Sequence, residues 1–166
     1  MTERPIRIFG DPVLKTPTDT IDVIDDKIRA LVEDLLDSVK LPGRAGVAAT
    51  QIGVGLRAFS YNVHGDIGYI LNPRIVETRG ELELVEEGCL SVPNLWFKTP
   101  RNPYAKVEGI DLDGNTVVLE GEGLMAQALQ HECDHLIGKL YPMRVRDFSR
   151  FGYADVLFPG LDDADD

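Results

Sequence analysis

The sequence predicts an α+β domain: small, mostly antiparallel sheets packed around a central helix that carries HExxH, with an amphipathic helix near the N-terminus. Three observations lead there. Helical periodicity is confined to two stretches, 24–40 and 123–140. Between them lie short, β-branched or alternating segments bounded by Gly, Pro, Asn or Asp. The order helix, strands, helix is not the alternation that βαβ units require. At 166 residues the chain can close one substantial core, so residues 1–166 are read as a single domain.

Each element has a local cause. "IDDKIRALVEDLLDSVK" spaces Ile28, Leu31, Val32, Leu35, Leu36 and Val39 along one helical face, with Asp25 or Asp26 as N-cap. "LPGRAG" follows, and its Pro42, Gly43 and Gly46 end the helix in a loop. "LRAFSYNV", "GYILNPRIVE", "ELELVEEGCLSV", "AKVEGIDL" and "NTVVLEG" then read as strands, with a hairpin signal at Asp113-Gly114. "GLMAQALQHECDHLIGKL" is rich in helix formers, and Gly138 is available to stop it.

Composition narrows the class. Hydrophobic residues make up 43% and charged residues 27%, and no apolar run approaches the roughly 20 residues of a membrane span. "MTERPIRIFG" lacks the apolar stretch of a secretory signal, so a soluble, cytoplasmic protein is expected. The 28 acidic against 17 basic residues give a formal net charge of −11, which argues against direct nucleic-acid or membrane binding. The acidic end, about residues 158–166, is read as a solvated, disordered tail. Two cysteines, Cys89 and Cys133, are read as buried thiols or metal ligands, since a reducing cytosol disfavours a bridge.

The chemistry concentrates in "QHECDHLIG", residues 130–138. His131 and His135 are four apart and share a helical face, so both can reach one ion. The chain has three histidines in all, which disfavours an accidental pair. At about 100° per residue, Cys133 lies roughly 200° from His131 and 160° from His135, on the side of Leu129 and Leu136. It is read as a small core hydrophobe. Leu124, Ala128 and Gly138 share the histidine side. Glu132 lies about 100° and 60° from the two histidines, close enough to take a proton from a water that an ion has acidified.

The third ligand is open on the residues alone. Beyond His135 the chain has neither His nor Glu, which removes the downstream ligands of zinc peptidases. Asp147, His64, an upstream carboxylate and Cys89 remain. Cys89 follows a glycine at the end of an alternating pattern, and a thiolate with two imidazoles leaves one position for water. His64 reads more naturally as a loop residue.

Three separated stretches, "GVAATQ" (46–51), "EGCLS" (87–91) and "QHECDHLIG" (130–138), resemble the motifs of peptide deformylases in order and spacing. The resemblance implies an iron(II) enzyme that removes the formyl group from N-formylmethionyl peptides of nascent chains and releases formate. Zinc, nickel and cobalt suit the same donors. Position by position it implies Cys89, His131 and His135 as metal ligands and Glu132 as proton shuttle. Gln51, through its side-chain amide, and Leu90, through its backbone N–H, would donate to the formyl oxygen. Gly46, Leu124 and Ala128 would line a methionine pocket, and a Glu87–Arg101 ion pair would support the strand carrying Cys89. Transient contact with the ribosome surface also follows. Arg44 and Ala45 depart from the family's first glycine and its hydrophobic neighbour, Gln127 stands where an aliphatic residue is common, and Trp96 where some relatives carry arginine.

Two other classes compete with this reading. A zinc endopeptidase shares the hydrolytic chemistry but lacks a downstream ligand here. A closed structural zinc site would need Cys133, which faces away, and would have no use for Glu132.

Overall fold

A computed structural model describes residues 4–138. Asp147, the aromatic stretch after residue 145 and the acidic end lie outside the described residues. Helix α1 spans Asp26–Val39 and helix α2 spans Gly123–Leu136. Seven strands are described: β1 (Gly46–Ala48), β2 (Ala58–Val63), β3 (Asp66–Arg79), β4 (Glu83–Cys89), β5 (Val92–Arg101), β6 (Tyr104–Ile110) and β7 (Thr116–Glu122). They form a five-stranded antiparallel sheet in the order β1-β2-β3-β6-β7 and a separate β4–β5 hairpin.

Asp25 caps α1, its carboxylate accepting from the backbone N–H of Lys27 and Ile28, two of the donors that a helix start leaves unpaired. The apolar stripe of Ile28, Leu31, Val32, Leu35 and Val39 then packs against Val47, Ala58 and Leu71. On α2, Ala126, Leu129, Cys133 and Leu136 pack against Ala48, Phe59, Tyr61 and Ile70. Neighbouring strand residues thus serve different helices: Ala58 meets the α1 cluster and Phe59 the α2 cluster. Side chains alternate across a strand, so the two helices cover opposite faces of the sheet. Full burial of Leu35 and Leu129 contributes about 1.5–3 kcal/mol each.

Two strands depart from the sequence reading. β5 runs through Pro93 and Pro100, residues that disfavour a central strand. In a two-stranded hairpin both strands are edges, which removes the objection. β1 has three residues directly behind a turn signal, too short to show a period. Both matter, because β4–β5 presents Cys89 to α2 and β1 presents Gly46.

Candidate metal centre

α2 lies between the sheet and the hairpin. Its sheet side carries Cys133, 6% exposed in the apolar core, where burial pushes the thiol up to about 12. Its other side carries His131 and His135, whose Nε2 atoms are 3.2 Å apart and whose rings meet edge to face at 4.9 Å. Cys89, at the end of β4 where the register slips after Gly88, brings its Sγ to 3.3 Å from His135 Nε2. The ligand atoms of Cys89, His131 and His135 all lie within 4.8 Å of one another.

A buried ion-pair network orients the nearer histidine. Nδ1 of His131 is 2.7 Å from Glu87 Oε2. Arg101, 3% exposed, donates from Nε to Glu87 Oε1 at 2.9 Å, from Nη2 to Oε2 at 2.5 Å, and from Nη1 to Asp134 Oδ2 at 2.6 Å. Burial alone would raise the Glu87 carboxyl, but hydrogen bonds from Arg101 and His131 outweigh it and hold the group at about 2. Glu87 is therefore an anion that fixes Nδ1 of His131 as the donor and leaves Nε2 free to ligate. Gln130 ties the helix to the same strand end, its amide exchanging two 2.9 Å hydrogen bonds with the Asn102 backbone. Asp134 and Gln130 went unread in the sequence. Asp134 stands three residues after His131, roughly 60° away on the wheel, and that offset was the available signal.

Gln51 approaches from the opposite wall, on the short 3₁₀ turn Ala49–Ile52. Its Oε1 accepts from the Ala48 N–H at 2.9 Å, which turns Nε2 toward Ser91 Oγ at 3.3 Å and Cys89 Sγ at 3.8 Å. Ser91, wholly buried, is a further partner that the sequence did not indicate. A cavity of about 770 Å³ opens here, lined by Gly46, Gln51, Leu90, Leu124, Ala128 and Glu132 among others. Arg44, His64, Trp96 and Gln127 reach its wall as well. Arg44 donates to the Ser38 carbonyl and Gln127 to that of Glu86. Trp96 is 70% exposed and lies over Gly88.

The cluster favours a cation. Burial opposes charge on His131, yet the Cys89 sulfur and the Glu87 and Glu132 carboxylates outweigh it and raise that imidazole well above its usual range. His135 is lowered, by burial and then by His131. Two imidazole nitrogens 3.2 Å apart need a proton or an ion between them. A tetrahedral ion bonded at about 2.0–2.3 Å holds such ligands about 3.3–3.7 Å apart, close to the 3.2 and 3.3 Å separations found. The donor set fits a divalent transition metal.

A family model described as polypeptide deformylase matches residues 3–151. The chain belongs to the polypeptide deformylase family. Peptide deformylase of Acidothermus cellulolyticus is 43% identical over 141 residues, covering 85% of this chain and 78% of its own. The crystal structure of a peptide deformylase from Legionella pneumophila superposes with a TM-score of 0.86 at 33% identity, covering 98% of this chain and 95% of that one. That of the Thermotoga maritima enzyme gives 0.82 at 34%, covering 87% and 99%. The matched range takes in every element from β1 to α2, and the likeness gives no support to the endopeptidase or structural-zinc alternatives.

Proposed function

We propose that this family member hydrolyses the formyl amide of N-formylmethionyl peptides, releasing formate and a free N-terminal methionine, as one cytoplasmic catalytic domain acting on nascent chains, with at most transient contact at the ribosome surface. The observation that carries this is the cluster of Cys89, His131 and His135, whose Cys89 and His131 reach one cavity together with Glu132 and the Gln51 side chain.

Cys89, His131 and His135 would hold the ion, with iron(II) as its identity; zinc, nickel and cobalt also suit a thiolate and two imidazoles. When bound, the ion supplies Lewis acidity, polarising the formyl group and acidifying water. Glu132 accepts the proton of the attacking water and returns it to the departing amine nitrogen. Burial raises its carboxyl and the charge on His131 opposes this, leaving it at about 7, so it can serve in both directions near neutral pH. Gln51 Nε2, its orientation set by the Ala48 N–H, and the backbone N–H of Leu90 donate to the formyl oxygen as charge builds on it. Gly46, Leu124 and Ala128 receive the methionine side chain. Glu87 and Arg101 keep the His131 ring in its ligating tautomer.

The direct test supplies a short N-formylmethionyl peptide to anaerobically purified, metal-loaded protein. Formate should appear while every peptide bond stays intact; cleavage inside the peptide, or no formate, rejects the reading. Ligand assignment has a separate test. Cys89→Ala should empty the site, and Cys133→Ala should retain metal and lose only stability, about 1 kcal/mol for a small cavity. Metal analysis of the two proteins gives the answer, and the reverse pattern would remove Cys89 from the site.

A further inference from the structure

Gly46 opens β1 directly opposite Tyr61 in ordinary antiparallel register. It is not among the glycines with positive φ, so its backbone does not demand glycine. The space around it does. A Cβ at Gly46 would lie 2.5 Å from Glu132 Oε2 and 2.8 Å from both Cδ and Cγ. Three consecutive atoms of the Glu132 side chain fill that volume, so moving its tip alone would not clear it. Two positions on, Ala48 projects from the same face of β1 and packs its methyl into the α2 core. The strand face accepts a methyl there and excludes one at Gly46.

Glu132 has little room to yield. It is 2% exposed, on a helix anchored through Leu129, Cys133 and Leu136. Its Oε1 is buried without a hydrogen-bond partner among the described residues. With no donor among the described residues to fix that oxygen, packing against the strand sets where the carboxyl lies.

We propose that Gly46 is a positioning residue for Glu132: the missing side chain forms the slot that holds the carboxyl against β1 and aims it at the cavity. This rests on the deformylase reading of Glu132 and goes beyond the role of Gly46 as pocket lining. A methyl group in the slot forces another rotamer, and a displacement of about 1 Å in a reacting group can cost on the order of 10²-fold in rate.

The test is a double-mutant cycle on the metal-loaded enzyme. Gly46→Ala should lower kcat on the order of 10²-fold, with metal content nearly unchanged. In a Glu132→Ala background the same substitution should change the residual rate by less than about twofold, because the atoms it met are gone. Equal losses in both backgrounds, or a fully active Gly46→Ala enzyme, would overturn the proposal. Melting temperatures read the slot independently of catalysis. Gly46→Ala should melt below the parent, and the double variant at or above Glu132→Ala alone. If Gly46→Ala does not fold, a folded double variant still supports the slot, and an unfolded one rejects it. Should the parent release no formate, the functional reading falls, and the melting comparison still decides the slot.

Discussion

Replacing Glu132 by Gln is expected to leave a folded, metal-loaded protein whose kcat is lower by about 10²–10⁴-fold, the usual contribution of a positioned general acid–base group. Glutamine keeps the volume of the side chain packed against Gly46 and removes its capacity to take a proton. Metal binding should persist because Cys89, His131 and His135 are untouched, and KM should move little. Parallel measurement of formate release and metal content separates the outcomes. Activity within a few-fold of the parent would remove Glu132 from proton transfer. Loss of metal would make it a structural support instead.

The second large effect is expected at Arg101. Its guanidinium makes three charge-assisted hydrogen bonds to Glu87 and Asp134, all three residues being almost fully buried. Arg101→Met removes the cation and leaves two buried carboxylates facing each other. Breaking a buried pair in this way costs about 3–5 kcal/mol, which in a domain of this size lowers the melting temperature by roughly 10 °C. Because Glu87 also holds His131, metal affinity should fall by about 10–100-fold. Arg101→Lys keeps a charge but cannot reproduce the fork, so it should fall between the two. Thermal melts and a metal competition titration measure both effects. A variant as stable as the parent would show the network to be dispensable.

The same network has a pH signature. The Glu87 carboxyl lies at about 2 in the folded protein, below its ordinary 4.5, so its stabilisation is fully present above pH 4.5 and is lost as pH falls toward 2. In Arg101→Met the main cause of that depression is gone. Acidification from pH 4.5 to 2 should therefore remove less stability from this variant than from the parent, read as unfolding free energy against pH.

What could be read from the chain follows the range of the forces involved. α1 and its Asp25 cap were legible because helical periodicity and capping act over three or four residues. The same locality put His131, Glu132 and His135 on one side of α2 and Cys133 on the other. Cys89 was only one of several possible third ligands on the residues alone, and the family resemblance singled it out. It lies 46 residues from His135, and no local period links the two. β5 stayed hidden because its prolines speak against a strand until one knows that it is an edge.

The sequence by itself determined the donor types, the face on which two of them stand and the family to which their motifs belong. Tertiary structure alone decided that Cys89 Sγ comes to 3.3 Å from His135, that Asp134 joins Arg101 and Glu87 in one buried network, and that Glu132 fills the space left by Gly46. The reason is physical. Backbone hydrogen bonding sets the spacing along a helix, whereas contacts between β1, β4 and α2 depend on strand register and core packing, which form only when distant segments meet.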